Sequence, residues 1–489
     1  MEEDCIIQIK TQFKNKVLSA YGVERELYEY LQEGRVSEAL SLMQDHDLEV
    51  DRAIREYNPM THKVMNRPNK YRKGKRGDYI TEKLPRARQR YINEVELFFL
   101  LGNGIKWKKD KGDDEAYSMF ADFLKETRFD SMIRKAKLIA GAETESAIIY
   151  KVVNEEINGE PHYKVIPFVA ARSLGYRLRP LFDQYGQMSA FAYGYKLRER
   201  GNTVEHWDFL TKDYLFFCKR GAAGWEIEIY PNTAKKITAV YFRQPKAWDG
   251  AQVRCDREER LDSKVGDTNN YFADPIASAT ADVVESLTDP NMPGKLIQLT
   301  SKESRFSYVN PPTSSETRRD ESFNLHESIL FDTFTPDMSF EKMKGLGTLS
   351  GAAIRNAMTL ANIKRKNNIL IYGECVDRLR SVIIAILKDK HPSKREKLDA
   401  LRISFEFNEP FEDGQGEEWR NISSLYSSGL VSLETAVTML GLTDKPQEEI
   451  DRILLRAQEQ QQAQMDLLLM REEANNAHGD EPTPKDAEK

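Results

Sequence analysis

Long apolar runs are absent from this sequence. Its 489 residues are 40% hydrophobic and 31% charged, and no stretch reaches the roughly 18 consecutive apolar residues that a membrane-spanning helix needs. The first residues, MEEDCIIQIK, are acidic and contain no apolar core of the kind found in secretory signals. We therefore expect no membrane partner and a protein that is assembled in a cytoplasm, with roughly two to four core-forming units.

Cysteine is scarce and widely spaced. The cysteines Cys5, Cys218, Cys255 and Cys375 form no CxxC pair, and the seven histidines are scattered. This distribution predicts free, reduced thiols and no zinc or other metal site. His326 lies in a charged segment with helical spacing, and we interpret it as a packed or solvated residue rather than a ligand.

Catalytic motifs are also missing. The glycine-rich GLGTLSG at 345–351 misses the GxGxxG spacing by one residue, and MPGK at 292–295 lacks the Gly and the Ser/Thr of a phosphate-binding loop. No GxSxG occurs. The carboxylates of DREER (256–260) and RRDE (318–321) have the spacing of salt-bridge partners along an exposed helix face. The sequence therefore predicts neither enzymatic activity nor a cofactor.

Charge is unevenly distributed along the chain. The net charge is −6, whereas residues 62–90 contain eleven Lys/Arg and two Asp/Glu, and the stretch from Asp444 onward is acidic. The basic run either contacts phosphates or forms a solvated surface loop, and the sequence leaves these alternatives open. The acidic total argues against a protein whose main task is to grip nucleic acid.

The first half of the chain contains helical segments followed by strand-like ones. Helical spacing covers residues 1–57, a segment that ends at Gly102-Asn103-Gly104, and residues 116–140. Strand patterns begin with a hairpin around NEEINGEP (154–161) and continue to about residue 245. Residues 1–245 therefore predict an α+β unit with an antiparallel meander.

The second half has a different order. The pattern predicts a charged helix at 247–263 and a second charged helix at 315–334. Between them lies an insert at about 270–312, with one predicted helix (PIASATADVVESL) and two β-like runs (KLIQLT and RFSYVN). A helix of about 40 residues follows from Leu349 to Asp389, roughly 60 Å long. LRISFEFNEP reads as a strand, and the remainder as helices and a polar tail that we expect to be disordered.

This order predicts a stalk of two charged helices with a small cap, joined by a glycine-rich loop to the long helix. Helices that are charged on several faces are stable chiefly when they pack against copies of themselves, so oligomerisation is a hypothesis here. Glycine in the loop tolerates backbone conformations and close approaches that other residues do not.

Four stretches resemble the portal (head-tail connector) protein family of tailed double-stranded-DNA bacteriophages, in the branch that includes the portal of the Bacillus phage SPP1. They are YINEVELFFLLGNGIKW, DREERLDSKVGDTNNYFADPI, ESILFDTFTPDMSFEKMKGLGTLSGAAIRNAM, and the segment from ISFEFNEPFEDG to KPQEEIDRI. The resemblance implies an α+β portal fold with long helices and antiparallel sheets. Its parts are a wing at 1–246 and 351–409, stem helices at 247–269 and 317–334, a clip at 270–316, a tunnel loop at 335–350, a crown at 410–460 and a flexible tail at 461–489.

The same resemblance implies a dodecameric ring in the virion, at one capsid vertex, through which double-stranded DNA is packaged and ejected. The implied partners are the terminase large subunit, the major capsid protein and a head-completion or adaptor protein. The expected DNA-facing residues, whose contacts must be weak and sequence-blind, are Lys342, Lys344, Gly345 and Gly347 of the tunnel loop and Arg318 and Arg319 of the stem.

Two alternatives stay open at this stage. One is a helical scaffold or adaptor protein that oligomerises without a DNA channel. The other is a nucleotide-dependent nucleic-acid enzyme, against which the missing phosphate-binding loop argues.

Overall fold

The computed structural model describes residues 22–69, 80–157, 160–199, 201–273, 277–279, 306–308, 315–339, 358–410, 415–441 and 446–477. These residues belong to two compact units: those up to Pro410 form the first, and those from Gln415 onward form the second. Among the described residues, no helix is both long and apolar enough to cross a bilayer.

The first described residues, from Gly22 to Tyr57, form helices, as predicted. The first three are α1 (Gly22–Gln32), α2 (Val36–Ser41) and α3 (Asp47–Tyr57), and α3 ends just before Asn58-Pro59. Helix α4 (Arg88–Leu101) ends at Gly102, again as the sequence predicts.

The single helix expected at 116–140 is in fact two, α5 (Asp114–Glu126) and α6 (Phe129–Glu143). The Thr127 hydroxyl donates to the Phe123 carbonyl at 2.7 Å, and Arg128 takes a left-handed conformation with φ 51°. Both features end a helix, because the hydroxyl competes for a helical carbonyl and the left-handed residue turns the chain.

The predicted meander is confirmed, but it is divided between two antiparallel sheets. The predicted hairpin is β2 (Glu145–Ile157) and β3 (Glu160–Ala170), and the last strand, β9 (Ala239–Arg243), pairs with the other edge of β2. The second sheet runs in sequence order through β4 (Arg177–Phe182), β5 (Met188–Glu199), β6 (Asn202–Thr211), β7 (Tyr214–Arg220) and β8 (Trp225–Pro231).

Two strands were not predicted. One is β4, which contains Pro180, and the other is β1 (Ile105–Lys111), in which four lysines hide the alternation. Strand β1 pairs antiparallel with Arg402–Phe407, the strand β12 that was expected near residue 403. Trp107 lies opposite Phe405 in this pair, and the contact of their rings buries one face of the ribbon.

The two charged helices are present with shifted bounds. Helix α7 (Gln252–Ala273) starts later and ends later than predicted, whereas α8 (Ser315–Asp332) agrees with the prediction. The helix predicted at 275–287 is wrong where it is described, because residues 277–279 form the strand β10 (Ala277–Ala279) paired with β11 (Phe306–Tyr308). The strand expected at 305–310 is thereby confirmed, and KLIQLT lies outside the described residues.

The described part of the long helix is α9 (Thr359–Lys390), which ends just before His391-Pro392 as predicted. Its 32 residues span about 48 Å at 1.5 Å per residue. Its buried stripe enters the main core together with residues of α4, α5, α6 and β2, and includes Tyr372, Val376, Leu379, Ile383 and Ile386. The short helix α10 (Arg395–Ala400) follows and leads into β12.

The described part of the second unit consists of helices, as the sequence predicts. They are α11 (Gln415–Ser427), α12 (Leu433–Leu440) and α13 (Pro446–Ala477). Residues 461–477 of the expected tail are therefore helical, and residues 478–489 lie outside the described part.

Candidate functional site

The stalk helices α7 and α8 lie side by side and are joined by charge. Arg257 Nη2 lies 2.6 Å from Glu321 Oε1, and Arg254 pairs with Asp332. An open groove of about 610 Å³ runs between the two helices. It is lined by both signs of charge, so it is a polar surface rather than an apolar ligand pocket.

Two of the six predicted site residues lie in this groove. Arg318 and Arg319 line it on the α8 side, close to Glu258 and Asp262 of α7. Arg319 is exposed and Arg318 is half-buried. The other four predicted residues, Lys342, Lys344, Gly345 and Gly347, lie in the segment 340–357, outside the described residues.

The carboxylates of α7 are not the exposed surface groups that the sequence predicts. Glu258 and Glu259 are fully buried in the first unit. Glu258 accepts a bidentate pair of hydrogen bonds from Arg88, at 2.7 and 3.0 Å, and a third from Arg86 at 3.0 Å. Cations from a distant part of the chain thus satisfy these buried acids, and spacing along the helix cannot reveal that.

The described part of the basic run is where those cations come from. We call residues 62–69 and 80–88 the strap. Its charged groups pair with acids of α7: His62 with Glu259, Lys63 with Asp256, Arg67 with Asp267, Arg86 with Asp262 and Glu258, and Arg88 with Glu258. The many cations in this part of the basic run are therefore explained by their pairs with acids of α7 in the same chain.

The base of the stalk is fixed by one ammonium group. Lys364, near the start of α9, donates to Glu96 Oε2 on α4 at 2.8 Å. It also donates to the carbonyl of Ala247, ahead of α7, and to that of Thr333, just after α8, each at 3.0 Å. An ammonium has three donors, so this side chain is fully used in holding the ends of both stalk helices to α9 and α4. We call Glu96, Lys137 and Lys364 the hub.

Glu96 carries the negative charge of the hub. Lys137 of α6 is completely buried and pairs with Glu96. Burial by itself raises the pKa of Glu96, but the attraction and hydrogen bonds of Lys137 and Lys364 outweigh it and lower the pKa to about 2. Burial lowers the pKa of Lys137, the attraction and hydrogen bond of Glu96 oppose this only in part, and the like charge of Lys364 lowers the pKa further.

Aromatic residues complete the base of the stalk. Trp248, ahead of α7, is fully buried and stacks on Tyr57 at 5.6 Å between ring centroids. Tyr91 of α4 donates to the Pro336 carbonyl at 2.8 Å and accepts from the Met338 amide at 2.7 Å. The chain leaving α8 is therefore tied to α4 before it enters the segment 340–357.

Other candidate reactive groups have structural surroundings. Burial raises the pKa of the Cys255 and Cys375 thiols to about 12, and both are free cysteines, as is Cys218. His326 is half-buried with its Nε2 3.4 Å from Asp337, which confirms that it is a packed residue. No group of three potential metal ligands lies within the described ranges.

The hub was not predicted from the sequence, although a signal for it exists. Glu96 interrupts the apolar run of VELFFLL, and Lys137 interrupts that of AKLIAGA. A charged residue on an otherwise apolar helix face indicates a buried ion pair, because an unpaired charge there is too costly.

Comparisons with known proteins identify one matching family, over most of the chain. A family model described as "Phage portal protein, SPP1 Gp6-like" matches residues 42–463. No curated protein matches. Two solved structures are distantly similar: "Neck of native GTA particle computed with C12 symmetry" (11% identity, 73% of this chain and 91% of that chain, TM-score 0.39) and "Virion of native gene transfer agent (GTA) particle" (10% identity, 81% and 93%, TM-score 0.37). Similarities at these TM-scores are too weak to support a conclusion, so the assignment to a family rests on the family model.

Proposed function

This chain belongs to the SPP1 Gp6-like family of phage portal proteins, and on that premise we propose that it assembles into a dodecameric ring through which double-stranded DNA enters and leaves the capsid. As a portal protein it is a head-tail connector of a phage-like particle. The ring, its DNA channel and its docking to the terminase large subunit, the major capsid protein and a head-completion protein are parts of the proposal.

The observation that supports the proposal most strongly is the match to the family over residues 42–463. It includes the stalk, the long helix α9 and most of the described second unit, so it does not depend on one motif. We propose that the wing, stem, clip, tunnel loop and crown have the bounds expected from the sequence, with the stem helices adjusted to the observed α7 and α8.

The design of the stalk base supports a role in which force passes between parts of the ring. A conduit for DNA must keep its stem fixed while the loop beside the channel moves. Lys364 and Tyr91 tie both ends of the stalk and the start of the loop to α9 and α4. We propose that the loop residues Lys342, Lys344, Gly345 and Gly347 and the stem residues Arg318 and Arg319 face the DNA.

Electron microscopy of the purified full-length protein tests the ring. We expect rings with a central hole and twelve-fold symmetry. Helical assemblies or compact oligomers without a hole would instead support a scaffold or adaptor, and a strictly monomeric protein under all conditions would refute the portal proposal.

The DNA-facing residues need a separate test. Alanine at Lys342, Lys344, Arg318 and Arg319 is expected to leave rings intact and to reduce DNA packaging or retention, because phosphate contacts are lost. Alanine at Lys106, an exposed lysine of β1, is the matched control and should have no effect. Normal packaging by the fourfold variant would remove these four residues from the proposal.

A further inference from the structure

The second arm of the strap lies along α7 in an unusual register. Residues 80–87 have no regular secondary structure, yet alternate main-chain N–H groups donate to α7 side chains spaced four residues apart. The three hydrogen bonds are Glu82 N to Asp267 Oδ1 at 2.8 Å, Leu84 N to Ser263 Oγ at 3.0 Å and Arg86 N to Glu259 Oε1 at 2.9 Å.

This register follows from the dimensions of the two elements. Two residues of extended chain advance about 6.6 Å, and four residues of α-helix advance about 6 Å. Every second N–H group of the strap therefore meets the same face of α7 one turn further along. A slip by one residue would turn these donors away from their acceptors, so the strap has one favourable position.

Close approach of the strap requires a small residue on α7. A Cβ atom at Gly266 would lie 3.1 Å from Cγ and 3.2 Å from Cβ of Glu82, which is tighter than ordinary contact. The ion pairs of the strap with α7 lie on both sides of this point, from Asp256 near the start of the helix to Asp267 near its end. The contact is therefore built along most of the helix rather than at one end.

The contact is polar, which determines how it responds to solvent. The apolar side chains of the extended arm contribute little, since Ile80 is 74% exposed and Leu84 is 42% exposed. Among the strap cations, the side chains of Lys63 and Arg86 are 78% and 40% exposed, so salt screens their pairs with α7. The pairs of His62 and Arg88 with α7 are more buried and are screened less.

We propose that the strap is an electrostatic latch on α7, which opens as a unit when ionic strength rises while the sheets and the hub stay folded. The strap leads directly into α4, which carries Glu96 of the hub, so the closed latch couples the length of α7 to the helix that holds its base. Opening leaves α7 attached at its base and to α8. The latch does not depend on the portal proposal, because it follows from contacts within one chain.

Hydrogen exchange of the full-length protein, followed by mass spectrometry at about 0.1 M and about 1 M salt, tests the latch, because the Debye length falls from about 10 to 3 Å over this range. We expect the peptide covering residues 80–87 to exchange about tenfold faster or more at high salt. Peptides from β5 and β6 should not change. Equal protection of residues 80–87 at both salt concentrations would overturn the proposal.

Variants separate charge from simple loss of packing. The double variant Arg86→Gln with Arg88→Gln removes two of the strap cations that pair with α7, and it should exchange faster at low salt and show a weaker salt dependence, since Lys63 and Arg67 keep their pairs. Lys83→Gln is the matched control, because no ion pair of this strap lysine is found among the described residues, and it should behave as the wild type. Unchanged exchange in β5 and β6 shows that a variant is folded. If the double variant does not fold, the wild-type salt series alone decides.

Discussion

Replacing Glu96 by glutamine is the sharpest test of the hub. The substitution keeps the shape of the side chain and removes its charge, which leaves Lys137 and Lys364 without a counter-ion. Lys137 is fully buried and cannot turn to water. Removing one partner of a buried ion pair typically costs about 3–5 kcal/mol, because the remaining charge is uncompensated.

The magnitude can also be worked from the carboxyl group itself. Its pKa falls from the ordinary 4.5 to about 2 in the folded protein. A difference of about 2.5 pKa units corresponds to roughly 3 kcal/mol, at about 1.4 kcal/mol per unit. Since the folded pKa is depressed, this stabilisation is present above about pH 4.5 and is lost as the pH falls from about 5 toward 2. The two routes agree on a loss of roughly 3 kcal/mol or more at neutral pH.

Urea denaturation followed by tryptophan fluorescence measures this loss, and two further variants give it a reference. Lys137→Met should cost far less than Glu96→Gln, about 1 kcal/mol or below, because Lys364 still neutralises Glu96 and a buried ion can be replaced by an apolar group of similar volume. Lys366→Met, at an exposed position of the same helix as Lys364, should stay within about 0.5 kcal/mol of the wild type.

A different ranking of the losses in free energy of unfolding would contradict the role given to Glu96. Equal costs for Glu96→Gln and Lys137→Met would mean that the two cations do not share one carboxylate. A Glu96→Gln protein that loses less than about 1 kcal/mol, or that keeps the wild-type loss of stability between about pH 5 and pH 2, would show that Glu96 is not the ionised centre of the hub.

Two more predictions concern neighbouring contacts. Gly141→Ala places a Cβ 1.9 Å from Oδ1 of Asn93 where α6 passes α4, and this crowding should lower the free energy of unfolding by about 1–3 kcal/mol. Gly373→Ala, in open space within α9, is the control and should be neutral or stabilise the protein by up to about 1 kcal/mol. Equal effects of the two substitutions in urea denaturation would show that the Gly141 site is not crowded. Burial lowers the pKa of His62, but the hydrogen bond and ion pair with Glu259 outweigh burial, so the net pKa lies above 6.5. The contribution of His62 to stability is therefore complete below pH 6.5 and is lost as the pH rises through the raised pKa. His62→Gln should remove that pH dependence, and a wild-type urea midpoint that does not fall over this interval would refute the assignment.

Local patterns in the sequence predicted much of the fold. Helical spacing found α4, α8 and the described part of α9, and alternation found β5 to β8. The family resemblance rested on the order of these elements and on four quoted stretches, and the family match confirms it. Where the pattern itself was weak the prediction failed, as in β4, whose alternation is interrupted by proline.

The spacing of apolar residues did not predict contacts between distant parts of the chain. Glu96 and Lys364 each sit in segments whose local spacing reads simply as helix, and nothing in either segment specifies the other. The same is true of Arg88 and Glu258. Periodicity reports which face of an element is buried, but it does not report what is packed against that face. The basic run therefore remained ambiguous until its partners on α7 were known.

The two attachments of α7 differ in the physical property that matters for control. The hub lies in the interior, where the charges of Glu96 and Lys137 are shielded from mobile ions, so salt screens it weakly. Two strap cations are exposed, Lys63 at 78% and Arg86 at 40% of the side chain, so salt screens their pairs more strongly than it screens the hub or the buried pair of His62 with Glu259. We therefore expect rising ionic strength to weaken the exposed strap pairs before the hub. A stalk helix held in this way can lose the support of residues 80–87 while its base and its pairs with α8 stay in place.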